Sequence, residues 1–171
     1  MVDHYAVFGN PIAHSVSPRI HSLFAESTHQ ALVYDRQCVD VGGFEQAAAA
    51  FFAKGGAGLN ITTPFKLDAY QFATSLSERA RRAGAVNTLI RGDAGEVRGD
   101  NTDGAGLVAD ILDGNAWPIK QRNILILGAG GAVRGVLAPL LAEQPSQIVI
   151  ANRSVEKAQQ LESAFSALGA V

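Results

Sequence analysis

The chain has 171 residues, 47% of them hydrophobic, and a mean hydropathy of +0.11, enough apolar material for one medium core or two small ones. A net charge of −2 and a pI near 6.1 argue against nucleic acid or an acidic membrane as partner. Cys38 is the only cysteine, which precludes an internal disulfide and fits a reducing, cytoplasmic setting. No N-terminal stretch has signal-peptide order, and glycines and Arg134 interrupt the most apolar region, 124–141, so no membrane span is expected.

In chain order, residues 5–8 read as a strand that Gly9-Asn10-Pro11 breaks. Ser17-Pro18 reads as a helix start, with Ser17 as N-cap and Pro18 at the first helical position, and the helix runs to about residue 27. A strand over 32–39, a helix over 43–54 and a strand over 57–61 follow. The stretch Leu59 to Lys66, LNITTPFK, takes an apolar strand into a polar loop. Residues 76–83 are predicted helical, and 85–91 and 96–99 predicted strands around the turn Gly92-Asp93-Ala94-Gly95. A helix over 102–112 precedes a break at 113–118, the candidate domain boundary. Beyond it come a strand over 123–127, a helix over 132–142, a strand over 147–151 and a helix over 155–168. Such alternation predicts an α/β fold with parallel pairing.

Ile124 to Leu127 runs into Gly128-Ala129-Gly130-Gly131-Ala132 and then a helix. An apolar strand, a glycine turn and a helix N-terminus open a dinucleotide-binding βαβ unit, because glycine lets pyrophosphate reach the backbone amides. Val133 sits where the third small residue of the fingerprint is expected, and an ordinary tight turn is the plainer reading. The next strand ends in Asn152-Arg153-Ser154, with Lys157 one turn on, where an NAD fold places an acidic residue. Arginine beside a hydroxyl and a lysine suits a 2′-phosphate, so NADP is favoured over NAD. Ser154 also serves as a helix N-cap, and the two roles are compatible.

Polar clusters follow apolar strands in the first half: Ser15 and Ser17, the run from Asn60 to Lys66, Asn87-Thr88, and Asn101-Thr102-Asp103. Loops at the carboxyl ends of strands converge in α/β sheets, and this set suits a small polyhydroxylated acid. Each has a plainer reading: Ser17 as a cap, Asp103 as a helix-start carboxylate, Lys66 as a solvated lysine. His4, His14, His21 and His29 form no metal-spaced cluster, so no metal is expected.

The ordered motifs GNPIAHSVSPRIH (9–21), NITTPFK (60–66), GAVNTL (84–89), GDNTDGAG (99–106), LGAGGA (127–132) and ANRS (151–154) resemble those of the shikimate dehydrogenase family and cover nearly the whole chain. The resemblance implies an N-terminal α/β substrate-binding domain (1–101), a connecting helix and linker (102–121) and the first half of a Rossmann-type NADP-binding domain (122–171). Family members continue beyond this point, so the resemblance also implies a truncated chain. It implies NADPH-dependent, reversible reduction of 3-dehydroshikimate to shikimate in aromatic amino-acid biosynthesis, by a cytoplasmic monomer or homodimer. Alternatives are a quinate/shikimate dehydrogenase or an inactive shikimate-binding fragment. By the same resemblance Ser15 and Ser17 hold the substrate carboxylate, and Thr62 and Asn87 bond ring hydroxyls. Lys66 and Asp103 form the catalytic pair and also touch substrate. Gly128, Ala129, Gly130, Gly131 and Ala132 hold the pyrophosphate, and Asn152, Arg153, Ser154 and Lys157 face the 2′-phosphate.

Overall fold

A computed structural model describes residues 2–171. They form two compact units: residues up to Ser77 together with Val86–Asp100, and Glu78–Ala85 together with Asn101–Val171.

In the first unit β1 (Asp3–Gly9), β2 (Leu32–Cys38), β3 (Gly58–Ile61), β4 (Ser75–Leu76), β5 (Thr88–Arg91) and β6 (Val97–Asp100) make one sheet in the order β2-β1-β3-β5-β6-β4. β1 is parallel to both neighbours: Tyr5 lies opposite Tyr34 of β2 and Gly58 of β3. β5 is antiparallel to β3 and β6, so the sheet is mixed where strict alternation predicts parallel pairing. The connection from β5 to β6 is a short 3-10 turn, Asp93–Gly95, with Gly95 at φ +85°, and so short a link joins only antiparallel strands.

Helices α1 (Ser17–Thr28), α2 (Phe44–Ala53) and α3 (Lys66–Phe72) belong to this unit. Two sequence expectations change here. Val16, not Ser17, occupies the N-cap position of α1, which puts Pro18 one residue deeper in the first turn. The run after Pro64 is not all loop, because Lys66 opens α3. Asp68 in its first turn complements the helix dipole, and Ala69 is fully buried. Phe44 and Ala48, one turn apart on α2, are buried with Phe8 and Phe65. The Phe44 ring centroid lies 6.4 Å from that of Phe8 and 5.5 Å from that of Phe65. Each such ring contributes about 1.5–3 kcal/mol over leaving it exposed. This anchor ends at Phe65, the residue before Lys66.

The second unit contains α4 (Glu78–Ala83), α5 (Asp103–Ala109), β7 (Asn123–Leu127), α6 (Gly131–Ala142), β8 (Gln147–Ala151) and α7 (Val155–Phe165). β7 and β8 pair in parallel, with Ile124 opposite Ile148. Leu137, Ile148, Leu161 and Phe165 form its core, and Val133 packs against it. The helix expected over 76–83 begins only at Glu78, because Ser75–Leu76 is β4, paired with β6. The helix expected over 102–112 is α-helical only to Ala109 and continues as a π turn, Asp110–Gly114. No helix among the described residues is long and apolar enough to cross a membrane.

Candidate functional site

In the first unit, the segments that follow β1 and β3 are tied together. The amide of Asn10 donates to Thr63 O (3.0 Å), that of Thr62 to Phe8 O (2.9 Å), and that of Val39 to Gly9 O (3.3 Å). The Asn10 side-chain amide donates to Val39 O at 2.9 Å. Gly9 makes the approach possible. A Cβ built there would stand 2.5 Å from Thr62 Cγ2 and 2.9 Å from Ile12 Cδ1. Thr63-Pro64 is a cis peptide, and the amide of Phe65 donates back to Thr62 O at 3.0 Å. Thr62 and Lys66 therefore leave one short turn whose backbone is hydrogen-bonded on both sides. The Lys66 carbonyl accepts from Val86 N (2.9 Å) and the Asn87 carbonyl from Ile61 N (2.7 Å), which fastens the Asn87 segment to the same turn.

Ser15 precedes α1, and its hydroxyl accepts from the amide of Ser17 at 3.3 Å. Ser15 therefore does locally what Ser17 is expected to do: it satisfies an amide of the first turn that has no intrahelical partner. The Arg36 guanidinium, on β2, donates to the carbonyls of Ala13 and Ser15 and holds that loop.

Sequence reasoning singles out Asn60, Asn87 and Thr88 as polar residues but misses Tyr34 and His21, which join them in a layer beneath these residues. The Tyr34 hydroxyl reaches across β1 to donate to Asn60 Oδ1 at 2.6 Å, and Asn60 Nδ2 donates to Thr88 Oγ1 at 3.3 Å. The Thr88 hydroxyl donates to Asn87 Oδ1 at 2.9 Å. The Ser17 carbonyl joins this layer through His21. His21 stacks on the Tyr34 ring, with centroids 3.9 Å apart, and its Nδ1–H donates to Ser17 O at 2.9 Å, since a carbonyl can only accept. Burial pushes the Tyr34 phenol well above its ordinary range, against a smaller opposing effect of the Ser17 hydroxyl. Tyr34, Asn60, Thr88 and Asn87 thus form one polar chain, Tyr34–Asn60–Thr88–Asn87. The signal for it is an asparagine, Asn60, between the buried Leu59 and Ile61.

The second unit carries the remaining residues. Asp103 begins α5, and its amide donates to Asn101 Oδ1 at 3.2 Å. β7 ends at Leu127 and α6 begins at Gly131, so Gly128 to Gly130 form the turn. Gly128 has φ +115°, a left-handed conformation that favours glycine. A Cβ built on Gly128 or Gly130 meets nothing within 4 Å, so the backbone is open to an approaching group. Past β8, Asn152 Nδ2 donates to Ser154 O at 2.7 Å and orders the turn. Ser154 takes the N-cap position of α7, but its hydroxyl donates to Glu156 Oε2 at 2.8 Å. The Glu156 carboxyl lies below its usual range, first through its own backbone hydrogen bond and then through Ser154. Arg153 and Lys157 are exposed beside this turn. An open glycine turn, a helix N-terminus and these two cations fit the adenosine half of NADP. No group of three His, Cys, Asp or Glu among the described residues could hold a metal ion.

Residues 7–89 match the family model described as the shikimate dehydrogenase substrate binding domain, and residues 109–170 match that of shikimate / quinate 5-dehydrogenase. A relative named shikimate dehydrogenase (NADP(+)) from Cellvibrio japonicus is 59% identical over 173 residues, covering 100% of this chain and 62% of its own. One from Vibrio cholerae is 57% identical over 170 residues, covering 99% and 61%. The crystal structure of a Thermus thermophilus shikimate 5-dehydrogenase in complex with NADP(H) and shikimate is 32% identical, with a TM-score of 0.87 over 100% of this chain and 63% of that one. The chain thus spans about three-fifths of the length of the curated relatives it matches.

Proposed function

We propose, from the premise that this chain belongs to the shikimate dehydrogenase family, that the protein is an NADP-dependent oxidoreductase interconverting 3-dehydroshikimate and shikimate. The observation that carries this reading is the tie between the segments after β1 and β3, Asn10 N to Thr63 O with Gly9 seated against Thr62. Ser15 and Ser17 follow β1 in sequence and Thr62 and Lys66 follow β3, two adjacent parallel strands, and this supports reading them as one site, since α/β proteins bind ligands at the carboxyl ends of strands. Residues 1–101 act as the substrate domain, 102–121 as the connection and 122–171 as the first half of the nucleotide domain.

Ser15 and Ser17 hold the substrate carboxylate, and Thr62 and Asn87 bond the ring hydroxyls. The turn from Gly128 to Ala132 holds the pyrophosphate, and Asn152, Arg153, Ser154 and Lys157 the 2′-phosphate. NADPH supplies the hydride when bound. The carbonyl oxygen gains negative charge as its carbon is reduced, and the Lys66 ammonium gives it one proton, leaving a neutral amine. In the oxidation direction the neutral amine takes the hydroxyl proton back. A carboxylate favours the charged ammonium, so Asp103 is assigned to bonding and orienting the hydroxyl rather than to carrying the proton. The protein works in the cytoplasm in aromatic amino-acid biosynthesis, as a monomer or homodimer.

The test is Lys66→Ala. Calorimetric binding of shikimate persists while turnover with NADP and shikimate is lost. A variant with near-normal turnover would sink the assignment of the proton to Lys66, and quinate and NAD run as controls for substrate and cofactor choice.

A further inference from the structure

Asn101 is 3% exposed, a buried polar side chain in the second unit. Both ends of its amide are used. Nδ2 donates to Ala85 O at 3.0 Å, and Oδ1 accepts from the amide of Asp103 at 3.2 Å. The second bond matters because Thr102, at the N-cap position of α5, makes no side-chain cap bond. Asn101 fixes the start of the helix on which Asp103 is the first residue.

Asn101 is held in turn by α6. A Cβ built on Gly135 would stand 2.7 Å from Asn101 Oδ1 and 2.9 Å from Nδ2, so the amide occupies the space that a side chain would fill. Three residues from Asn101, Gly104 makes the reciprocal approach. Its Cβ would meet the Pro139 ring and stand 2.5 Å from Gly135 O. Proline 139 has no N–H to give the carbonyl one turn earlier, so the helix ladder skips Gly135 O and Gly104 can pack against it. α5 and α6 interlock through Asn101, Gly104, Gly135 and Pro139, and α6 is the helix that the glycine turn opens.

We infer that Asn101 is a positioning residue for Asp103, seated on Gly135, so that the carboxylate's place is set by the helix that carries the nucleotide turn. This rests on the reading of Asp103 given above. Replacing Asn101 removes both tethers. Replacing Gly135 leaves the Asn101 amide intact and displaces it, which reaches the same end from the other side.

The experiment compares Asn101→Ala, Gly135→Ala and Asp103→Ala in the full-length enzyme, with melting curves to establish that each variant is folded at the assay temperature. For Asn101→Ala and Gly135→Ala, kcat with shikimate falls by about tenfold or more while KM for NADP stays within about twofold. A merely structural role would lower the melting temperature and leave kcat of the folded enzyme in place. Folded variants with kcat within about twofold of wild type, alongside an inactive Asp103→Ala, overturn the inference. A matching rise in KM for NADP overturns it as well, since the disturbance would then be general. If Asp103→Ala itself turns over normally, the reading of Asp103 fails instead. Should Asn101→Ala not fold, Gly135→Ala decides the matter alone.

Discussion

Gly9→Ala tests the geometry of the first unit most sharply. Gly9 does not need glycine's conformational freedom; what it lacks is room, with Thr62 Cγ2 at 2.5 Å, Ile12 Cδ1 at 2.9 Å and Thr63 O at 3.3 Å from an added Cβ. Two of these belong to the turn that delivers Thr62 and Lys66, and the third to Ile12, buried in the neighbouring loop. The backbone cannot easily retreat, since β1 is hydrogen-bonded on both sides. Overpacking of this kind costs about 1–3 kcal/mol. Loss of glycine's freedom in the unfolded chain offsets about 0.4–1 kcal/mol of it. The net destabilisation is about 1–2 kcal/mol, which in a protein of this size lowers the melting temperature by roughly 3–6 °C. Because Thr62 must move, shikimate affinity measured by calorimetry falls in the same variant. An unchanged melting temperature with unchanged affinity would refute the claim that close contact at Gly9 sets the turn.

Three further outcomes follow from other parts of the molecule. Gly130→Ala has open space for its Cβ and ordinary backbone angles, so the melting temperature stays the same while NADP affinity drops roughly tenfold, as fluorescence titration would register. Arg153→Ala removes a cation beside the turn after β8 and weakens NADP roughly tenfold or more, with NAD affinity unchanged in parallel titrations. Tyr34 carries the pH dependence. Its folded-state pKa is raised above the ordinary value of 10.0, so its stabilising effect is complete below about pH 10 and is lost as pH rises further. Urea unfolding therefore shows stability declining above about pH 10, and Tyr34→Phe flattens that decline while losing about 1 kcal/mol with the Asn60 hydrogen bond.

The βαβ unit of 123–168 is legible in the sequence because its signals are local: a continuous apolar strand, glycines at the turn and a helical period after it. Its strand bounds agree with expectation residue for residue. The segment around Lys66 is less legible. Two threonines and a proline mark a loop, while the helix that Lys66 opens is only seven residues long and depends on burying Ala69 and Phe65, whose ring stacks on Phe44 of α2. Ser17 misleads for a related reason. Ser-Pro is a good capping signal, but Ser15, two residues earlier, accepts from the Ser17 amide, which local preference cannot rank. β4 is two residues long and exists only because β6 is beside it.

Among the site residues, those on loops after strands stand out in sequence because polar clusters follow apolar runs. The layer below them does not. Tyr34 and Asn60 are joined only because β1 lies between β2 and β3, so their bond depends on strand order. Asn101 reads as one polar residue among several, and its use emerges only when Gly135 of α6 is seen to leave room for it. Glycine at that position has no turn to explain it, which is the one trace the sequence holds.

The most direct measurement follows the near-ultraviolet absorbance of reduced nicotinamide in the full-length protein supplied with shikimate and NADP. Turnover with shikimate and NADP, greater than with quinate or with NAD, is the predicted result. Saturable NADP binding with no turnover of shikimate under the same conditions would contradict the account.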